Sequence, residues 1–393
     1  MKTNETLKIC AAVCEYNPFH NGHAYHLEQM KASGADLTVV VMSGNFTQRG
    51  APAILDKYAR ARHACLQGAD IVIELPTVFA TANAEVFAQG ALKLIASLPG
   101  QKTLCFGAET PDKDVFLSAA KALNSESKSF KESLKEELAT GAPYAKARAA
   151  ALQKTTDIPE EILSSPNNIL GLEYTRAIVK NGYAVDLLPV QRTGAMHGDA
   201  DIQGNTASST AIRALTTDGQ IKKVKKCLPP HVFADLKDAN IPNFDDLYLY
   251  SLLMTDAETL AKTADCTEGL ENRIKALAVE SDTFTTFLQK TATKRYTDAR
   301  IRRICTANLL SIRDEFVKKC LKSDLYLKVL AYREDSGALA ILSQSKYPLI
   351  MRMSDQIKLQ GVAKDCFEKD LQCTALYSMM SGKRYADFHV ETV

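Results

Sequence analysis

Short apolar runs alternate with helix-length amphipathic stretches through the first two-thirds of the 393-residue chain. Strand-like runs fall at residues 7–14, 37–43, 71–75, 103–106 and 184–190, and helical patterns at 25–33, 54–67, 84–97 and 169–180. Near-continuous apolar strands separated by helices predict a parallel sheet covered on both faces, an α/β fold. Residues 111–161 break the rhythm and read as a helical insertion rich in Lys, Glu and Ala. Beyond Leu228-Pro229-Pro230 the alternation stops; residues 244–321 read as wholly helical, followed by a short strand at 338–342 and a mixed tail. The expected organisation is an N-terminal domain over 1–230 and a mainly helical domain over 231–393.

Ligands in such sheets bind beyond the carboxyl ends of the strands. The first strand runs into Glu15-Tyr16-Asn17-Pro18-Phe19-His20-Asn21-Gly22-His23, an H-x-G-H pattern. A turn at Asn17-Pro18 and a helix from about Asn21 place unpaired first-turn amides beside His20 and His23, which share one helical face. Gly22 lets a base or phosphate approach the backbone. Two imidazoles and a helix end suit the negative charge of a departing pyrophosphate.

A second clamp is read at Ser208-Ser209-Thr210-Ala211-Ile212-Arg213, where hydroxyls open a helix and an arginine follows one turn in. The polar loop Met42-Ser43-Gly44-Asn45-Phe46-Thr47-Gln48-Arg49-Gly50 follows the second strand and suits substrate contact. Asp56, Lys57, Arg60 and Arg62 follow, as readily a solvated face as a site. Gly107 would admit a stacking base and Arg192 a phosphate. Asn167 reads equally as an adenine contact or a helix cap.

Net charge is only +2, yet the stretch 286–322 holds ten Lys and Arg against three acidic residues, with Tyr296 among them. Lys290, Lys294, Arg295, Arg300, Arg302 and Arg303 mark a phosphodiester-binding helical face, as folded RNA offers. The ten cysteines include no C-x-x-C and read as small buried hydrophobes in a reducing compartment. The polar N-terminus lacks a signal-peptide core and no apolar run reaches spanning length, so the expected location is the cytoplasm, with no membrane partner. There is no Walker P-loop and no K-M-S-K-S-like lysine loop. The residues alone point to breaking the bond between the α- and β-phosphates of a nucleotide; a small-molecule adenylyltransferase and a non-catalytic nucleotide-sensing RNA-binding protein stay open as readings.

H-x-G-H with a downstream S-S-T-x-I-R resembles the nucleotidyltransferase superfamily, which implies a Rossmann-like domain. The longer motifs E-Y-N-P-F-H-N-G-H, M-S-G-N-F-x-Q-R-G, S-P-N-N-I-L-G-x-E-Y (from Ser165), E-G-L-E-N-R-I (from Glu268) and K-R-Y-T…R-I-R-R (from Lys294) resemble the bacterial tRNA(Met) cytidine acetate ligase family. They span roughly residues 9–303. The tail after Leu330 carries no matching motif.

The resemblance implies that acetate and ATP form acetyl-adenylate and pyrophosphate. The acetyl group then passes to N4 of the wobble cytidine of elongator tRNA(Met). Its ATP contacts map onto Val13, Cys14, Glu15, Tyr16, Asn17, Pro18, Phe19, Asn21, Gly22, Ala24, Tyr25 and His26, with Gly107, Asn167 and Arg192. His20, His23, Ser208, Ser209, Thr210 and Arg213 are the expected catalytic set. Mg²⁺ is expected to arrive with ATP, with no dedicated protein metal site.

Overall fold

The structure is a computed structural model that describes residues 6–125, 127–142, 144–156, 158–192, 202, 204–382 and 387–393. Residues 1–5, part of the polar N-terminal stretch, lie outside them. Ten strands occur among the described residues: β1 (Lys8–Cys14), β2 (Leu37–Ser43), the two-residue β3 (Phe46–Thr47) and β4 (Ala51–Pro52), β5 (Ile71–Leu75), β6 (Gln101–Ala108), β7 (Val185–Gln191), β8 (Leu327–Tyr332), β9 (Leu349–Ile350) and β10 (Glu391–Thr392). The main sheet has the order β10-β8-β5-β2-β1-β6-β7, with β9 on β8. All its pairings are parallel except β5–β8.

The chain winds outward from β1 through β2 to β5, then crosses back to lay β6 and β7 on the other side of β1. The carboxyl end of β1 is therefore the switch point where such sheets open a crevice. Successive side chains point to opposite faces, and both faces are dry. Ile9, Ala11, Val39 and Val41 belong to one core cluster; Cys10, Ala12, Val40 and Met42 belong to the other. That is why these strands read as continuous apolar runs. The insertion is helical as expected: Lys113–Ser125, Lys128–Ala139, Tyr144–Thr155 and Glu160–Ser164, leading into Pro166–Asn181.

The C-terminal part departs from expectation. The strand expected at 338–342 is a helix, Ala338–Leu342, and the true strand lies earlier, at β8. A five-residue apolar run fits either element, and Ala and Leu favour helix. β8 was masked by Lys328, a charge in mid-strand. That lysine is fully buried, 3.1 Å from Glu74 and 2.9 Å from Asp387, while Lys57 completes the cluster at 2.9 Å from Glu74 and 3.1 Å from Asp387. β8 and β10, both beyond residue 230, are thus hydrogen-bonded into the sheet that begins at β1.

Candidate active site

The turn after β1 is built from backbone geometry before any chemistry. Tyr16 adopts a left-handed φ of 46°, the Asn17–Pro18 peptide is cis, and helix Asn21–Ala32 begins at once. His20 is its N-cap. Its Nδ1 accepts the Gly22 amide at 3.1 Å, and His23 Nδ1 accepts the His20 amide at 3.2 Å. This is a reciprocal capping box made of two imidazoles in place of a hydroxyl and a carboxylate. With both Nδ1 lone pairs engaged, each neutral ring carries its proton on Nε2, on the side away from the cap. The rings stack with centroids 3.7 Å apart. A Cβ on Gly22 would sit 3.0 Å from the His20 ring, so the glycine makes room for that ring.

Burial, followed by the Arg192 and Arg213 charges, lowers the His20 pKa to about 3. Burial and the neighbouring His20 and His26 hold His23 well below its ordinary value. Burial and Arg192 lower His26 to about 4. At neutral pH the site therefore presents two uncharged Nε2–H donors beside a helix N-terminus.

Asn21 works as a strut. Its amide donates to the carbonyls of Asn205 and Lys226, both at 2.9 Å, and so ties this turn to the serine-rich segment. There helix Ser209–Thr217 starts with Ser208 as N-cap, its Oγ accepting the Ala211 amide at 3.1 Å. Arg213 donates to the Asn17 carbonyl at 2.6 Å and to Thr210 Oγ1 at 3.1 Å. Two helix N-termini thus open onto one cavity.

The third wall comes from β6, β7 and helix Pro166–Asn181. Arg192 donates to Asn167 Oδ1 at 3.0 Å, and Asn167 Nδ2 donates to Glu109 Oε1 at 2.6 Å. The capping alternative for Asn167 is not realised: Ser165 is the N-cap. Asn168 instead accepts the Glu109 amide at 2.9 Å.

These walls enclose a cavity of about 480 Å³, within the range of small-molecule sites. All six expected catalytic residues line it, as do Gly107, Asn167, Arg192 and Val13, Cys14, Glu15, Tyr16, Asn17, Gly22, Tyr25 and His26. Pro18, Phe19, Asn21 and Ala24 are not among the lining residues; Phe19 is fully buried and packs against Tyr16 and His23.

The walls also include part of the polar loop singled out after β2 and, beyond it, residues the sequence left unassigned. Gln48 and Arg49 come from the loop after β2, whose register is fixed by the Gln48 amide donating to Glu15 Oε1 at 2.7 Å. Ala84, Phe87, Leu170 and Tyr174 form an apolar side. Arg60 lies beneath, fully buried, donating to the carbonyls of Glu15 (2.5 Å), Ser43 (3.1 Å), Leu55 (3.0 Å) and Gly44. It fastens the ends of β1 and β2 together. The charged run at 56–62 is therefore not a solvated face, since Lys57 and Arg60 are both buried.

The basic stretch sits beside this cavity, and most of its expected RNA contacts already have internal partners. Arg303 pairs with Asp265 at 3.0 Å and Arg300 approaches the same carboxyl at 3.6 Å. Arg302 pairs with Asp298 at 2.7 Å and Arg295 with Glu268 at 2.9 Å, while Lys290 donates to the Glu280 carbonyl at 2.5 Å. Arg295 and Arg300 both lie over the Tyr296 ring, at 5.6 and 5.5 Å. Lys294 is exposed. Gly50, at φ 69°, packs on the Arg302–Arg303 backbone so closely that a Cβ would meet it at 2.4 Å. Helix Asp298–Leu309 therefore abuts the loop that carries Gln48 and Arg49.

Residues 7–390 match the family model described as HIGH Nucleotidyl Transferase. The chain is 36% identical over 386 residues to a tRNA(Met) cytidine acetate ligase of Caldanaerobacter subterraneus subsp. tengcongensis, covering 95% of each chain. It is 39% identical over 363 residues to a protein of that name from Limosilactobacillus reuteri, covering 90% of this chain and 92% of the relative. The crystal structure of apo Thermotoga maritima TmcAL has a TM-score of 0.91 to this structure at 30% identity, covering 98% of this chain and 100% of that one. The structure of TmcAL from the same organism bound with alpha-thio ATP has a TM-score of 0.89.

Proposed function

The chain belongs to the tRNA(Met) cytidine acetate ligase family, and from that premise we propose that the cavity at the end of β1 activates acetate for transfer to RNA. The reaction is ATP-dependent ligation: acetate becomes acetyl-adenylate, and the acetyl group passes to N4 of the wobble cytidine of elongator tRNA(Met). The observation that carries this reading is the convergence of two helix N-termini, at His20–His23 and Ser208–Arg213, on one nucleotide-sized cavity.

ATP lies with its base near Gly107 and Asn167 and its β- and γ-phosphates between the two N-termini. An acetate oxygen attacks the α-phosphorus. The bond from that phosphorus to the bridging oxygen breaks, and its electron pair leaves with pyrophosphate. The Nε2–H groups of His20 and His23, the hydroxyls of Ser208, Ser209 and Thr210, and the Arg213 guanidinium meet the charge that builds on the leaving group. The donors are fixed by the capping hydrogen bonds beforehand, so little reorganisation is needed. Catalysis is mainly positioning and charge stabilisation. Mg²⁺ enters as part of the ATP substrate.

In the second step the cytidine amine attacks the acetyl carbonyl. The carbonyl carbon–oxygen bond to AMP breaks and the amine gives up a proton. The acceptor enters along the rim made by Gln48, Arg49 and Gly50, where helix Asp298–Leu309 brings the basic face to the cavity edge. A cytoplasmic setting fits this substrate, and among the described residues no helix is long and apolar enough to cross a membrane.

The test is incubation with ATP, labelled acetate and bulk tRNA, followed by digestion and mass spectrometry of the nucleosides. N4-acetylcytidine in elongator tRNA(Met), with one AMP per acetyl transferred, is the expected result. Label on another acceptor, with no acetylcytidine, would refute it.

A further inference from the structure

We infer that the apolar side of the cavity, bounded by Val13, Ala84, Phe87, Phe106, Leu170 and Tyr174, is the acyl subsite that seats the methyl group of acetate and limits the length of the acid. This rests on the ligase reading and adds to it the location of the second substrate.

The walls of the cavity belong to opposite faces of the sheet. The two helices whose N-termini flank the phosphate site anchor on one face: Leu27, Met30 and Ile212 share a core cluster with Cys10 and Ala12 of β1. Phe87, Phe106 and Tyr174 belong to the opposite cluster, with Ile9 and Ala11, and Val13 and Leu170 pack against it. The cavity thus straddles the end of β1, polar toward one face and apolar toward the other. Displacement at phosphorus keeps attacking and leaving oxygens roughly in line. A pyrophosphate leaving toward His20, His23 and Arg213 therefore requires the acid to approach from the other side, where the apolar wall stands. The attack forms one oxygen–phosphorus bond as another breaks, and moves no proton, so this wall needs no base.

The chemistry of the wall fits a small carboxylic acid. Phe87 and Phe106 are almost fully buried in this wall. Tyr174 is buried beside them, with Cys14 and Glu15 near enough to act on its hydroxyl. Tyr174 lines the cavity, so its phenol, which burial keeps protonated, is placed to donate a hydrogen bond to the carboxylate oxygen that does not attack. Ala84 opens helix Ala84–Ala96 and contributes only a methyl, leaving room at the mouth.

The test is acid-dependent ATP–pyrophosphate exchange with acetate, propionate and butyrate. Phe87→Ala is expected to raise the propionate-to-acetate ratio of kcat/KM by about tenfold, the scale on which an apolar pocket discriminates one methylene. Ala84→Leu fills the mouth and is expected to cut acetate-dependent exchange at least about tenfold while an ATP analogue still binds. Tyr174→Phe is expected to raise KM for acetate with KM for ATP unmoved. If Phe87→Ala fails to fold, Ala84→Leu decides. The inference is overturned if the variants that bind ATP keep both the wild-type acid preference and the wild-type KM for acetate. Failure of the ligase reading looks different: the wild-type protein itself gives no acetate-dependent exchange.

Discussion

The histidine turn and the basic helical stretch are the two polar landmarks of this chain, and they are built in opposite ways. At the turn, hydrogen bonds within the protein consume the Nδ1 atoms and leave the Nε2–H groups for a ligand. On the helices, hydrogen bonds within the protein consume the cations themselves, on Asp265, Glu268 and Asp298. The first site is preorganised for its ligand. The second is neutralised within the protein, so under the proposed function phosphates must compete for guanidinium groups held by carboxylates. A charge count along the sequence therefore overstates the second site, while residue type alone understates the first.

His23→Ala breaks the comparison most sharply. Removing one fixed donor to a developing anion typically costs about 10²–10³ in rate. Acetyl-adenylate formation is expected to fall by that factor, with tRNA affinity in filter binding unchanged. Gly50→Ala attacks the joint between the two regions. A Cβ there meets the Arg302–Arg303 backbone at 2.4 Å from a left-handed φ. A loss of roughly 1–3 kcal/mol of stability is expected, visible as a lower Tm. Acetyl transfer to tRNA should fall more than acetate-dependent pyrophosphate exchange.

The pH response sharpens the account of the turn. His20 and His26 titrate at about 3 and about 4 in the fold, against an ordinary value of 6.5. Between those limits the unfolded chain takes up protons that the folded chain refuses. Stability therefore falls as pH drops from about 6.5 toward 3, and these groups leave it flat above 7. Thermal melts across this range, with the imidazole resonances followed by NMR, check the sign. The smallest effect is expected at Lys294. Lys294→Ala should lower the slope of log K against log[salt] for tRNA by about 0.7–0.9, one phosphate contact, without moving Tm. Arg303→Ala should instead lower Tm, because it leaves Asp265 half-buried without its closest partner.

Much of the parallel sheet and of the cavity lining at the end of β1 was legible in the sequence because both obey local rules. Strands buried on both faces read as apolar runs, and a capped helix after a strand reads as an anion site. What stayed hidden depends on pairing at a distance. Lys328 concealed β8 because its partners, Glu74 and Asp387, are 254 and 59 residues away. Arg60 and Lys57 looked solvated because a sequence does not reveal that backbone carbonyls and a buried carboxylate receive them. Phe87 and Ala84 carry no motif; only the crossover that stacks their helix beside Pro166–Asn181 brings them to the cavity. The mechanical part played by Asn21 likewise depends on carbonyls about 200 residues away.

The central claim is that the histidine turn activates acetate before RNA takes part. ATP–pyrophosphate exchange by the wild-type protein in the absence of tRNA tests it most directly. Exchange that requires acetate and disappears in His23→Ala is the expected result. Exchange that needs no acetate, or that persists undiminished in His23→Ala, would contradict it.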